Sequence, residues 1–319
     1  MANYLVTGGC GFIGSHLVER LLNEGHHVRI LDNLSTGKRE NVPVGCEIVI
    51  GDVADALAVD AAMREMDGCF HLAAVASVQK SVEQWLETHR SNLTGTINVF
   101  NAARHTRIPV VYASSAAVYG DNADMPLKEH ATLRPLTAYG ADKLGSELHG
   151  RVAAVVHGVP NTGLRFFNVY GPRQDPSSPY SGVISIFSER ISQGKRITIF
   201  GDGEQARDFI YVLDVVNFLR TAMDNISTTP QVFNVCTGKA TTIKQLARML
   251  MTVRGERVSV ERQATRKGDI RVSIGDPGYA MQHLGVKAQY ALVDGLRELI
   301  LYSGEGDNYE ELAMACCAR

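Results

Sequence analysis

Cysteine is scarce and unpatterned here: Cys10, Cys46, Cys69, Cys236, Cys316 and Cys317 form no CxxC pair and no His/Cys ligand spacing. That excludes a zinc module and a disulfide framework, so reduced thiols and no metal are the expectation. Charge of one sign is lacking too, with 32 Lys+Arg against 34 Asp+Glu. Such a balance provides no broad field for nucleic acid or an anionic membrane surface, and neither is expected as a partner. No run approaches the ~18 apolar residues of a membrane-spanning helix. The opening Met1-Ala2-Asn3-Tyr4-Leu5-Val6 has neither the basic nor the apolar region of a secretory signal. The expected location is the cytoplasm. Repeats, low-complexity tracts and long linkers are absent. What is present is 319 residues, 45% of them hydrophobic, with 30 glycines. A disordered chain would be poorer in apolar residues and a collagen far richer in glycine. At ~100–200 residues per domain the length fits two domains or one large α/β unit.

A short apolar run, Tyr4-Leu5-Val6, meets a glycine cluster and then Phe12 to Leu22, where Ile13, Leu17 and Leu21 fall at helical spacing. The pattern recurs. Val28–Leu31 ends at Asp32, Ile48–Ile50 at Gly51-Asp52, Cys69–Leu72 at Ala73-Ala74, and Val110–Tyr112 at Ser114-Ser115. Helical stretches separate most of these runs, including about 90–105 and 139–157. Strands alternating with helices predict a doubly wound parallel sheet of the Rossmann type, whose ligands sit beyond the carboxyl ends of the strands. Beyond about residue 166 the rhythm changes to a Pro/Ser/Gly/Tyr-rich segment, the strand Ile197–Phe200, a Gly201-Asp202-Gly203 turn and helices at 242–253 and 291–301. The expected division is a nucleotide-binding domain over 1–166, rejoined at about 208–236 through Val232–Val235. A smaller α/β substrate domain would comprise 167–207 and 237–319. The last dozen residues read as a peripheral tail.

The strongest local signal is Thr7-Gly8-Gly9-Cys10-Gly11-Phe12-Ile13-Gly14, directly after a strand and opening a helix. Gly9, Gly11 and Gly14 satisfy GxGxxG; Gly8, Gly11 and Gly14 satisfy GxxGxxG. Glycine lets the backbone approach a pyrophosphate, whose charge the helix N-terminus stabilises. A plain strand-to-helix turn would also use such glycines, but an acid follows at the end of the next strand, Asp32. A carboxylate there accepts hydrogen bonds from an adenosine ribose and repels a 2′-phosphate, favouring NAD over NADP, although Lys38 and Arg39 lie nearby. Asp52 ends the third strand and suits either an adenine amino group or the N-cap of the next helix. The second signal is Tyr139-Gly140-Ala141-Asp142-Lys143. Residues four apart share a helix face, and a cation near a phenol lowers its pKa. With hydroxyls at Ser114 and Ser115 on the strand end beside the cofactor, this set suits proton transfer on a substrate alcohol coupled to hydride transfer.

The glycine turn, Asp32, Asp52, His71-Leu72-Ala73-Ala74, Asn92, Ser114–Gly120, Tyr139/Lys143 and Arg165–Arg173 together resemble an extended short-chain dehydrogenase/reductase, and within it the nucleotide-sugar 4-epimerases. The resemblance runs from about residue 3 to about 300. It implies a tightly bound NAD regenerated each turnover, held by Gly8, Gly11, Phe12, Ile13, Gly14, Asp32, Asn33, Ser35, Gly37, Asp52, Val53, Leu72, Ala73, Ala74, Asn92, Tyr139, Lys143 and Phe166. It makes Tyr139 the catalytic base, Lys143 the holder of the nicotinamide ribose, and Ser115, with Ser114 as its neighbour and rival, the hydroxyl at the sugar O4. Asn168, Arg207 and Arg266 match positions at the diphosphate, Asp269 the nucleotide ribose, and Ser77, Val183 and Ser273 other substrate positions. It further implies a homodimer through a four-helix bundle of the helices at 90–105 and 139–157. Their apolar residues Ile97, Phe100, Leu144, Leu148 and Val152 could equally pack within one subunit.

Related 4,6-dehydratases carry an Asp-Glu pair where this chain has Ala116-Ala117, so dehydration is disfavoured and reversible oxidation at C4 remains. Four residues after Asp269 the family places a tyrosine in enzymes restricted to unacetylated hexoses; here that position is Ser273. Ala76-Ser77-Val78 and Arg173–Pro176 resemble epimerases of N-acetylated sugars as well. The expected reaction is therefore C4 epimerisation of UDP-GlcNAc/UDP-GalNAc. The alternatives are a UDP-glucose or UDP-glucuronate 4-epimerase, or a catalytically silent NAD-binding sensor.

Overall fold

The structure, a computed structural model, describes residues 1–176, 182–265 and 269–304. Its strands are β1 (Asn3–Thr7), β2 (His27–Asp32), β3 (Glu47–Ile50), β4 (Gly68–His71), β5 (Val110–Ser115), β6 (Asn161–Phe166), β7 (Asn168–Tyr170), β8 (Ile197–Phe200), β9 (Ala206–Arg207), β10 (Phe209–Tyr211), β11 (Gln231–Val235), β12 (Thr241–Thr242), β13 (Val260–Gln263) and β14 (Val272–Ser273). The helices are α1 (Phe12–Asn23), α2 (Ala56–Met63), α3 (Val78–Glu83), α4 (Trp85–His89), α5 (Gly95–Ala103), α6 (Ala138–His157), α7 (Val183–Ser192), α8 (Val212–Asp224), α9 (Ile243–Arg254), α10 (Gly278–Leu284) and α11 (Leu292–Gly304).

Seven strands form one parallel sheet in the order β11-β6-β5-β4-β1-β2-β3. Strand runs rich in Val, Ile and Leu rather than alternating with polar residues are what a sheet covered on both faces requires. Successive side chains point to opposite faces, so each strand feeds two cores. Val6, Ile30, Phe70 and Val111 pack with Leu17 and Leu21 of α1 and Phe218 and Leu219 of α8. Their immediate neighbours Leu5, Leu31, Cys69 and Val110 pack on the other face with Val59 of α2 and Val99 and Phe100 of α5. This is a doubly wound, Rossmann-like fold. The chain leaves the sheet after Phe166 and returns at β11, which pairs with β6. Between and after those points it builds β7–β10, β8–β13 and the three-stranded β12-β9-β14 sheet, over a core that includes Tyr170, Phe187, Ile199, Leu246 and Leu250.

Strand order reverses at β1, which has β4 on one side and β2 on the other. The crevice at such a reversal is where ligands enter an open α/β sheet.

Phe100 is buried against Tyr112, ring centroids 5.5 Å apart, and Leu144 packs beside Val118 and Tyr119, so these two serve the subunit interior. Ile97, Leu148 and Val152 are exposed. The helical stretch expected from residue 90 is α5 preceded by a π-turn over Arg90–Thr94. No helix among the described residues is long and apolar enough to cross a membrane. Cys10, Cys46, Cys69 and Cys236 are free thiols, and burial pushes Cys10 up to about 11. Cys316, Cys317 and the C-terminal tail lie outside the described residues.

Candidate active site

At the reversal point a cleft of about 260 Å³ is lined by the glycine turn, the ends of β2 and β3, Leu72–Ala76, Ser91, Ala113, Ser114, Tyr139, Lys143 and Phe166. The glycines are there because nothing else fits. Gly8 has φ +70°, and a Cβ on it would stand 2.8 Å from the Ala73 backbone; on Gly14 a Cβ would stand 2.2 Å from the Gly8 carbonyl oxygen. Gly11 precedes α1 without a side-chain cap, so the first-turn amides of α1 are free to face an anion at Phe12 and Ile13. Gly9, the alternative first glycine of the motif, does not line the cleft; its Cβ would meet Ile30.

Asp32 closes the far side of this turn. One carboxylate oxygen accepts from the Cys10 amide at 3.0 Å and the other from the Leu34 amide at 2.8 Å. Gly37 sits so close that a Cβ there would be 3.0 Å from both oxygens. Asn33, Ser35, Asp52 and Val53 complete this end. Asp52 accepts from the Ala54 amide at 2.8 Å and from Asn33 Nδ2 at 3.2 Å. The capping alternative for Asp52 is corrected: α2 begins at Ala56, and Asp55 caps it by accepting from Leu57 and Ala58. Asn92 is wholly buried and does not line the cleft. Its Oδ1 accepts from the Val75 amide at 2.8 Å and its Nδ2 reaches the Val75 carbonyl at 3.2 Å, so it holds the Leu72–Ala76 wall from behind. The π-turn around Asn92 presents Ser91 to the cleft; extra-residue turns of this kind recur at functional sites. Sequence spacing could not have shown it.

Another support was missed. Thr96 Oγ donates to the Asn92 carbonyl at 2.6 Å, and therefore accepts from His71 Nε2 at 3.0 Å. His71 Nδ1 is then an acceptor for Thr7 Oγ at 2.8 Å, which in turn accepts from the Ala73 amide at 3.2 Å. Complete burial lowers the imidazole to about 3 and keeps it neutral, as this one-directional chain needs.

At the other end of the cleft the catalytic candidates converge. Thr137 caps α6 by accepting from Gly140, so Tyr139 and Lys143 stand on its first two turns, on one face. The Ser115 hydroxyl hydrogen-bonds the Tyr139 phenol. Lys143 Nζ donates to the Ala113 carbonyl at 2.8 Å and lies 5.9 Å from the centre of the Tyr139 ring. Burial pushes the ammonium down to about 8 against the neighbouring Asp142. The expectation that Lys143 brings the phenol below its ordinary pKa is corrected. Burial raises the Tyr139 pKa, opposed by the Ser115 hydrogen bond, because loss of hydration penalises the phenolate more than these neighbours offset. Ser114 also lines the cleft but its hydroxyl does not join this pair: it donates to Glu147, one turn further along α6.

The sugar-side candidates come together in part. Arg207 of β9 donates to Asp269 at 2.6 Å, and Ser273 of β14 is the register partner of Arg207. Burial lowers the Arg207 pKa while Asp269 opposes it. Asn168 spends its side-chain amide on the Asp208 carbonyl at 3.1 Å. Ser77 caps α3 by accepting from Lys80 at 3.0 Å, and Val183 opens α7 against the outer core. Arg266 lies outside the described residues. Asp208 was not singled out, yet its buried carboxylate accepts from Thr237 N and Oγ and from the Gly238 and Gly275 amides, tying β9 to the end of β11 and the strand before Asp276.

Comparison with known proteins follows the same lines. Residues 4–236 match the NAD dependent epimerase/dehydratase family. A UDP-glucose 4-epimerase of Mycolicibacterium smegmatis is 37% identical over 305 residues, covering 93% of this chain and 96% of that one. The crystal structure of a UDP-glucose 4-epimerase from Thermotoga maritima, with UDP-glucose, superposes with a TM-score of 0.91 at 36% identity, covering 94% of this chain and 98% of that one. A UDP-N-acetylglucosamine 4-epimerase from Methanobrevibacter ruminantium M1, in complex with UDP-N-acetylmuramic acid, has a TM-score of 0.90 at 37% identity, covering 95% and 98%.

Proposed function

The chain belongs to the NAD dependent epimerase/dehydratase family, and from that premise we propose that it interconverts UDP-sugars epimeric at C4, with UDP-GlcNAc/UDP-GalNAc as its preferred pair. The observation that carries the reaction type is the placement of Tyr139 and Lys143 at one end of the glycine-lined cleft, with the Ser115 hydroxyl at the Tyr139 phenol. The cleft suits NAD in three respects: the close backbone approach at Gly8 and Gly14, the uncapped α1 N-terminus, and the Asp32 carboxylate. When bound, NAD supplies the hydride acceptor and, on return, the donor. Tyr139 takes the proton of the C4 hydroxyl and gives it back to the 4-keto sugar. Ser115 holds both oxygens in line through its bond to the phenol, and Lys143, anchored on the Ala113 carbonyl at the cleft wall, is placed to hold the nicotinamide ribose. Ala116 and Ala117 follow Ser115 on the next turn. Neither can act as acid or base, so β-elimination of water has no catalyst there and the ketone returns to an alcohol.

The preference for an acetylated sugar rests on Ser273, small and paired in register with Arg207. A second reading, UDP-glucose 4-epimerase, is favoured by the names of the Mycolicibacterium and Thermotoga relatives. Conversion of UDP-GlcNAc and of UDP-glucose without added NAD, followed to equilibrium, tests both: faster turnover of UDP-GlcNAc is expected. A clear preference for UDP-glucose would select the second reading, and no conversion of either would remove the epimerase reading.

A further inference from the structure

Behind the catalytic strand lies a buried charged network that the epimerase reading leaves unused. Glu147 stands one turn beyond Lys143, so Tyr139, Lys143 and Glu147 share a stripe of α6 at four-residue spacing. Each meets a consecutive residue of β5: Tyr139 the Ser115 hydroxyl, Lys143 the Ala113 carbonyl, and Glu147 the Ser114 hydroxyl. The Glu147 carboxylate is gripped by Arg165 of β6 through both forks, Nε to Oε1 at 2.8 Å and Nη2 to Oε2 at 2.7 Å. Both side chains are almost fully buried, Arg165 4% and Glu147 7% exposed. Arg165 Nη1 also reaches the Tyr119 hydroxyl at 2.8 Å and the Glu129 carbonyl at 2.9 Å, while Tyr119 donates to Asn234 of β11 at 2.6 Å. The helix is thereby fastened to three neighbouring strands.

We propose that the Glu147–Arg165 pair is a positioning device that sets the register of α6 against β5, and so fixes Tyr139 against Ser115 and Lys143 against Ala113. A buried ion pair of this kind contributes little net stability compared with an apolar pair of the same volume, because both groups lose hydration. A planar bidentate contact is, however, highly directional, and a helix able to slide or rotate slightly would separate the phenol from the hydroxyl it depends on. An angstrom of misplacement at a reacting group is worth about a hundredfold in rate. The network reaches the sugar side as well: Asn234 Nδ2 donates to the Leu127 carbonyl at 2.8 Å, and Leu127 pairs with the strand at Ile274, next to Ser273.

The proposal rests on the Tyr139 assignment above, so its test carries two readouts. The charge-neutral double variant Glu147→Gln/Arg165→Met leaves no orphan charge in the core. Its kcat for the UDP-sugar that the wild type converts is expected to fall at least about tenfold with KM changed less than about twofold, the split expected when only the transition state is mispositioned. Independently of any substrate, the Tyr139 phenol, read as tyrosinate absorbance of each protein minus its Tyr139→Phe counterpart, is expected to titrate at higher pH in the double variant, because its bond to Ser115 loosens. Should the double variant not fold, Ser114→Ala cuts the tie to β5 and leaves the ion pair intact, and the same two changes are expected at smaller size. A variant that loses melting temperature but keeps kcat and the Tyr139 titration unchanged would reduce the network to a structural one and overturn the proposal. A wild type without turnover would remove the epimerase reading and leave the titration to decide this one.

Discussion

Two regions of the molecule, the cleft at the glycine turn and the Arg207–Asp269–Ser273 cluster proposed to meet the sugar nucleotide, are built on different principles. The proposed cofactor cleft is made of backbone: Gly8, Gly11 and Gly14 lie within seven consecutive residues of one strand–turn–helix, and of the residues that close it, Asp32 ends β2 and Asp52 follows the end of β3 in the same sheet. The proposed sugar region is made of side chains from distant segments. Arg207, Asp269 and Ser273 meet through two-residue strands held by a buried Asp208, whose partners come from residues 237, 238 and 275. A backbone-built site tolerates almost no substitution, since added atoms have nowhere to go. A site built of side chains can change what it accepts one residue at a time.

The catalytic group is where a substitution is expected to cost most. Tyr139→Phe removes the proton-transferring oxygen and leaves the ring packing, so kcat should fall by about 10²–10⁴ with NAD retained; initial rates and the NAD content of the purified protein check both. Activity within a few-fold of wild type would move the base elsewhere. At the cofactor end Gly14→Ala forces a Cβ to 2.2 Å from the Gly8 oxygen. Since that neighbour is backbone, the turn must shift, at a cost of about 1–3 kcal/mol. The variant is expected to purify with much less NAD and a lower melting temperature. Unchanged NAD content would show that the turn is not backbone-limited.

The same division governs what the sequence makes legible. Six of the seven main-sheet strands followed from apolar runs, and β8 begins and ends at Ile197 and Phe200 as its pattern indicates, whereas β6 (Asn161–Phe166) was missed because Thr162, Gly163 and Arg165 interrupt its apolar run. The glycine turn was readable because its members are neighbours in the chain. Ser114 against Ser115 was not, because both hydroxyls meet α6 and only the register of that helix decides which one meets Tyr139 and which Glu147. Asn92 was placed among cofactor contacts because it accompanies the motif, whereas its amide stabilises the Val75 backbone one layer behind. Glu147 and Asp208 escaped notice, and His71 and Arg165 were read only as members of motifs with no role of their own, for a common reason. Each is a buried polar group whose partners lie far away in sequence, and a single charged residue in a string looks the same whether it meets water or a carboxylate.

The smallest expected effect is also the one that bears most on substrate choice. Ser273 lies across from Arg207 in register, and the Ile274–Asp276 segment that follows is pinned to both sides of Leu127. The backbone at residue 273 is therefore fixed, and Ser273→Tyr has to place its phenol in whatever space the serine leaves instead of displacing the strand. If that space receives a 2-acetamido group, kcat/KM for UDP-GlcNAc should fall by roughly tenfold or more relative to UDP-glucose, the scale at which a hydrophobic pocket discriminates by size. Competition between the two substrates in one vessel measures the ratio directly. Equal losses for both sugars would place residue 273 outside the sugar pocket and leave the acetylated preference without a residue to carry it. A fall confined to UDP-GlcNAc would show that a single side chain at the end of a two-residue strand sets the substrate range, in contrast to the glycine turn, where a single added methyl group is expected to displace the cofactor.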